Sequence, residues 1–265
     1  MLLITGFIIF LLVGPVIVLL ARGYSYDFAN RRFIKTGALI IKSDPRGASV
    51  YLNGAPIGTA PITKRFLLPD EYSVEIKKSG YLPWRKHITL HPQGVASLNP
   101  VLFRQATPSI LATSTIDFLV KGENIYAAIG DDFYLFRFGG LGKTLFATST
   151  ARQTPTQSPS PDSEKIVFEG KNEIWFWRSY NGKEEKFLVT RSAEPIENPI
   201  LNKETHYVFF QVRRTIKAIE LDKEGVPNVY DLLSTKNLQT KFAISPNGRE
   251  LIYLEDGTLF RLNIR

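Results

Sequence analysis

The chain contains no cysteine, which excludes disulfides, thiolate metal sites and a cysteine nucleophile together. A protein without thiols tolerates an oxidising or a reducing compartment, so the compartment stays open. Histidine is nearly as scarce, at three residues in 265. His87 and His91 stand four apart around Ile88 and Leu90, where a strand would place them on one face. No carboxylate or cysteine accompanies them, so they make a poor metal pair. There is no Gly-x-Ser-x-Gly elbow and no glycine loop shaped to cradle phosphate, and His206 forms no ordered triad with the serines. Asp131-Asp132 and Asp162 with Glu164 read as turn acids rather than calcium ligands. No catalytic residue, metal site or cofactor is therefore assigned, and the chain is read as a non-enzyme.

Charge is scarce in one place above all. Leu2 to Ala21 is twenty residues without an ionisable side chain, and fifteen of them are Leu, Ile, Val or Phe. A helix of that length spans about 30 Å, the thickness of bilayer hydrocarbon. Each such residue favours insertion by about 0.3–0.6 kcal/mol at mid-bilayer, which outweighs the kink expected at Gly14-Pro15. Nothing basic precedes the run, and Leu19-Leu20-Ala21 is a poor cleavage site, so the expectation is a retained anchor rather than a signal peptide. Residues 1–21 are thus the expected contact with a lipid bilayer.

The net charge of +8 gathers behind that run. Residues 22–36 hold four basic groups and one acidic, a basic juxtamembrane stalk, and residues 37–103 hold eight and four. The larger C-terminal part is almost neutral. The basic excess suits lipid headgroups or an anionic wall polymer, or is solvated charge flanking the anchor. With no basic stripe in the larger part, nucleic acid is not an expected partner.

At this length about two folded domains are expected. In the first, residues 37–103, Leu39 and Ile41, Val50 and Leu52, Val74 and Ile76, and Ile88 and Leu90 alternate with more polar neighbours, as half-buried strands do. Asp44-Pro45-Arg46-Gly47, Asn53-Gly54, Gly58-Thr59-Ala60-Pro61 and Ser79-Gly80-Tyr81 punctuate them with turn chemistry. The expected unit is small, antiparallel and without helix. Its residues Pro45, Gly47, Ala48, Val50, Tyr51, Leu52, Asn53 and Gly54, followed by Gly58, Thr59 and Pro61, Leu68-Pro69, Tyr72, Val74, Lys78, Gly80 and Tyr81, resemble the PEGA domain family. Arg46 stands where the family has its glutamate, and Glu71 where a glycine is usual. The resemblance implies a small β-sandwich serving as a surface module, with these motif positions structural and none catalytic. It also implies that Tyr81, Pro83 and Trp84 seal one end.

Residues 104–265 repeat. Ile125-Tyr126-Ala127, Ile166-Val167-Phe168, Tyr207-Val208-Phe209 and Leu251-Ile252-Tyr253 begin four segments at spacings of 41, 41 and 44 residues. Each is followed by a short turn and a second strand, at Tyr134-Leu135-Phe136, Ile174-Trp175-Phe176, Ile216-Lys217-Ala218 and Leu259-Phe260-Arg261. A period of 40–45 residues with an internal hairpin is the mark of propeller blades. Ser160-Pro161-Asp162-Ser163 and Ser245-Pro246-Asn247-Gly248 resemble the turns of TolB-like β-propellers. The last repeat ends after its third strand; either Ser109 to Ala112 supplies the fourth and closes the ring, or the array is open as part of a larger propeller. The fold class expected is all-β apart from one N-terminal transmembrane helix: a PEGA-like sandwich followed by a partial, about four-bladed propeller.

Trp175 and Trp177 fall on one face by alternation, and that face either stacks on a sugar or peptide or packs between blades. The functional expectation is a membrane-anchored cell-envelope protein with an extracytoplasmic body, presenting its β domains to a protein or cell-wall glycan partner. The alternatives are a wall-polymer hydrolase or lyase on a propeller scaffold, and a cytoplasm-facing tethered sensor, which the basic flank favours.

Overall fold

The computed structural model describes residues 2–27, 31–140, 142–148, 164–168, 172–180, 183–222 and 226–265, and within these the side chains of 2–6, 8–9, 146–148, 164–168, 178–180 and 183–184 are outside the description. Strands dominate it. The polypeptide divides into two compact units, one holding residues up to Ser79 with Pro83–Leu102, the other Gly80–Leu82 with residues 103–222 and 227–265.

The first unit opens with helix α1 (Leu2–Ala21), which carries Pro15 inside it. Among the described residues no helix is long and apolar enough to cross a membrane; the described side chains of α1 begin at Phe7 and run unbroken only from Phe10. Behind it, β1 (Tyr24–Asp27) pairs antiparallel with β2 (Arg32–Lys35) as a two-stranded ladder, with Tyr24 opposite Lys35 and Tyr26 opposite Phe33.

Two sheets follow. Strands β3 (Gly37–Ile41), β4 (Ser49–Leu52), β5 (Ala55–Thr59), β6 (Ile62–Leu67), β7 (Asp70–Lys77), β8 (Trp84–Leu90) and β9 (Val95–Leu98) arrange as β6-β3-β9 and β5-β4-β7-β8. The alternation places Leu39, Ile41, Val50, Val74, Ile76, Trp84 and Leu90 inside, each at most 2% exposed. Asn53 and Gly54 take φ of 49° and 80° between β4 and β5, the left-handed pair that a two-residue hairpin turn requires. One expectation is corrected: the unit is not wholly antiparallel, because β9 runs parallel to β3. The chain leaves the four-stranded sheet after β8 and returns along β3 in that strand's own direction.

In the second unit the sheets succeed one another. β10 (Ser109–Ala112) precedes β11 (Thr115–Lys121), β12 (Asn124–Ile129), β13 (Asp132–Arg137) and β14 (Lys143–Thr148), of which the last four form one sheet. β15 (Glu164–Phe168), β16 (Glu173–Tyr180) and β17 (Lys183–Arg191) form the next, and β18 (Ile196–Asn202), β19 (Tyr207–Val212), β20 (Thr215–Glu220) and β21 (Val229–Ser234) the third. β22 (Lys241–Ile244), β23 (Glu250–Glu255) and β24 (Thr258–Asn263) build the last sheet, and β10 pairs with β24 as its fourth strand. The four hairpins fall where the repeat spacing predicts them. The turn Ser160-Pro161-Asp162-Ser163 lies outside the described residues.

Apolar cores join sheet to sheet. Phe118, Ile125, Ala127 and Phe136 of the first sheet pack with Ile252 and Leu259 of the last. Ile174, Phe176 and Val189 of the second pack with Ile196, Val208, Phe210 and Ile219 of the third. At the unit's start Phe103 is fully buried, its ring meeting Tyr207 edge-on at 4.9 Å and Phe209 at 5.9 Å.

Candidate interaction surfaces

Strand alternation decides what β16 shows. Ile174 and Phe176 turn into the core, so Glu173, Trp175 and Trp177 share the opposite face. Both tryptophans are half-buried. Trp175 Nε1–H donates to Glu173 Oε2 at 2.8 Å, and Arg191 Nε donates to Glu173 Oε1 at 2.6 Å. From the neighbouring β17 the Lys186 ammonium sits 4.7 Å from the Trp175 ring centroid. Lys186 is also the register partner of Trp177, while Leu188, opposite Trp175, is 39% exposed.

The strip is thus a fixed sequence of cation, acid, indole and cation. The hydrogen bond from Trp175, and then that from Arg191, hold the Glu173 carboxyl below its usual range. A carboxylate held this way stays ionised near neutral pH. One face of Trp175 is already covered by a cation. Sequence reasoning located the two tryptophans and missed Glu173, Lys186 and Arg191; the alternation Glu173-x-Trp175-x-Trp177 was the signal available for the first.

Elsewhere in the second unit, Lys241 Nζ of β22 lies 2.6 Å from an Asp117 oxygen of β11, with both side chains about half exposed (49% and 50%). Among the described residues no group of three or more His, Asp or Glu converges as a metal site would require. His87 lies exposed on β8 and His91 follows the end of that strand, so the expected shared strand face is not formed. Asp131 occupies the hairpin turn between β12 and β13, Asp132 opens β13, and Asp162 lies outside the described residues.

In the first unit a second surface gathers at the β1–β2 hairpin. Tyr24, Tyr26, Phe33 and Lys35 share one face by register. Tyr26 and Phe33 meet edge-on at 5.2 Å, and the Lys35 ammonium stands 5.7 Å from the Tyr24 ring centroid. The base is closed at Thr36, whose N–H and hydroxyl both donate to Gly23 O at 2.9 and 2.7 Å.

The PEGA motif positions hold turns and core. Ala48 and Val50 are fully buried, Gly47 N–H donates to Ala60 O at 2.8 Å, and Gly47, Gly54, Gly58 and Gly80 all take positive φ. Pro45 and Pro61 follow cis peptide bonds. The expected seal by Tyr81, Pro83 and Trp84 is corrected. Trp84 is buried in β8, whereas Tyr81 belongs with the second unit, bridging to Arg104 and lying 5.6 Å beneath its guanidinium. Leu82 N–H donating to Phe103 O at 2.7 Å holds the segment there.

Comparison with known proteins agrees with the first domain. The PEGA domain model matches residues 36–105. No curated protein sequence matches the chain. Among solved structures it is similar to Hsv2 of Kluyveromyces lactis, at 13% identity over 83% of this chain and 71% of that one, with a TM-score of 0.29. A second structure of the same protein, with a complete loop 6CD, matches at 14% identity over 69% and 67%, again at 0.29. A chain of the mitotic checkpoint complex matches at 12% identity over 91% and 67%, at 0.30. Superpositions this loose carry no functional inference. Residues 36–105 thus carry a PEGA domain match, within a chain whose described residues are mostly β-strand.

Proposed function

We propose that this is a membrane-anchored, non-enzymatic envelope protein whose α1 crosses the bilayer. The PEGA sandwich and a four-bladed propeller, closed by β10 in the last sheet, present surface to a protein or glycan partner outside the membrane. One observation carries the reading. Phe7, Phe10, Leu11, Leu12, Ile17 and Val18 are each 53–69% exposed on α1 among the described residues. Leaving a large apolar side chain in water rather than burying it costs about 1.5–3 kcal/mol, so a bilayer is the medium in which this helix is stable. The strip around Trp175 and Trp177 is the assigned recognition surface. The test is alkaline extraction of membranes carrying the full chain. It should stay in the pellet, and a form lacking residues 1–21 should leave; a full chain found in the supernatant would end the proposal.

A second reading, a sensor facing the cytoplasm on the same anchor, is favoured by Arg22, Arg31, Arg32 and Lys35 directly behind α1. External protease on intact cells separates the two, since only an exported body is digested without lysis.

A further inference from the structure

We propose that the β1–β2 hairpin is a headgroup-binding device, seating its Tyr24–Tyr26–Phe33–Lys35 face on the anionic surface of the bilayer that α1 enters. The inference rests on the anchor reading and adds a partner for a segment that charge alone marks only as a stalk.

Three observations converge. The first is attachment. Gly23 follows the helix by two residues, and its carbonyl accepts from both the N–H and the hydroxyl of Thr36, so both ends of the hairpin are tied at the mouth of α1. The second is reach. Strands of four residues span about 13 Å at roughly 3.3 Å per residue, while one headgroup layer is about 5–8 Å thick. A hairpin fixed at the hydrocarbon edge therefore lies within or just above the headgroups. The third is chemistry. Phe33 is 41% and Tyr26 36% exposed on the aromatic face, and Arg31 and Arg32 are exposed at the far end of the hairpin. Aromatic rings beside basic side chains are the pairing that bilayer interfaces favour. The opposite face, Ser25, Asp27, Arg32 and Ile34, carries no aromatic ring, which gives the hairpin a side to turn downward. Each basic residue near an anionic surface strengthens attachment about five-fold, so Lys35 on that face and Arg31 at its end together supply on the order of 30-fold, while Arg32 lies opposite Asp27 on the other face.

The absence of cysteine makes the test direct. Single variants V13C, S25C, F33C and L238C of the full chain are nitroxide-labelled and placed in vesicles of phosphatidylcholine, with or without phosphatidylglycerol. Collision with oxygen and with a water-soluble nickel chelate then reports depth. With phosphatidylglycerol, the label of F33C should sit at headgroup depth and be shielded several-fold relative to those of S25C and L238C. Adding R31Q and K35Q to F33C should return it to the accessibility of L238C, as should removing phosphatidylglycerol. If V13C reports hydrocarbon while F33C is as accessible as L238C with phosphatidylglycerol present, the hairpin proposal is wrong and the anchor stands. If V13C itself reports water, the anchor is wrong and the hairpin proposal goes with it. Shielding of F33C that persists without phosphatidylglycerol and survives the two glutamine substitutions points to contact with protein rather than lipid charge, and overturns the proposal.

Discussion

The PEGA sandwich and the sheets of the second unit hold together by different means. In the sandwich the most deeply buried side chains are apolar, Leu39, Ile41, Val50, Val74, Ile76 and Trp84 at no more than 1% exposed, with Lys86 and Ser43 buried less deeply at 6% and 8%. The second unit buries polar groups at the places where its parts meet. Gln211 is fully buried; its amide nitrogen donates to Arg213 O and Asn237 O at 2.8 Å, and its oxygen accepts from Thr240 N–H at 2.8 Å. Asn202 of the third sheet donates to Ser245 O at 3.1 Å beside the last. Glu250 and Arg261, both buried in the last sheet, reach the turn after β13: Gly139 N–H donates to both Glu250 oxygens at 3.1 Å, while Arg261 donates to Gly140 O at 2.6 Å and Arg137 O at 3.0 Å. A sandwich of two unlike sheets needs only complementary apolar faces. Successive similar hairpins offer interchangeable apolar faces, and directional polar ties say which face meets which.

The sharpest way to break this contrast is to delete one anchor of each kind. Arg261→Ala leaves the buried Glu250, whose Oε2 lies 3.6 Å from Arg261 Nε, without its cation and should cost about 3–5 kcal/mol in urea unfolding of the full chain in detergent. Trp84→Ala should cost a similar 3–5 kcal/mol through the cavity it leaves. A loss under about 1 kcal/mol for Arg261→Ala would remove the polar half of the comparison. Next in size is Gln211→Leu, which orphans the buried Thr240 N–H and should cost about 2–3 kcal/mol by the same measurement. Gly80→Val sharpens the comparison at a turn. A Cβ there meets nothing within 4 Å, so the φ of +78° alone sets the penalty, about 1–3 kcal/mol, read as a lowered thermal midpoint.

The smallest effect belongs to the exposed strip. Because the folded Glu173 carboxyl is held below its unfolded value, its contribution is present above the unfolded pKa and is lost as pH falls through the folded one. Trp175→Phe removes the larger of the two hydrogen bonds holding it there. The Glu173 titration midpoint, followed by carboxyl NMR, should move up toward the ordinary range while the protein stays folded.

Local chemistry was legible in the sequence. Asn53-Gly54 and Asp256-Gly257 announce their turns, and period-two alternation finds the core of β4, β7 and β12. The pair Trp175 and Trp177 follows from the same rule. Apart from Ser109–Ala112, which the repeat count offered as a fourth strand of the last sheet, the sequence could not show pairing between distant segments. Nothing near Val95 signals that β9 will run parallel to β3, since that register depends on residues more than fifty positions earlier. The bonds from Arg261 to Gly140 and Arg137 join groups 121 and 124 residues apart, and no local pattern marks them. The hairpin at residues 22–36 was obscured for another reason: its arginines read as stalk charge, and the alternation of Tyr24 with Tyr26 is too short to stand out.

The pairing of β10 with β24 has a consequence for how the protein is made. Ser109 bonds to Arg261, 152 residues later. At the ribosome's pace of about 5–20 residues per second, β10 waits roughly 8–30 s after emerging before its partner exists. For that interval it is an open edge able to join a wrong neighbour. The last sheet is therefore the stage of biosynthesis at which a nascent chain is most in need of shelter.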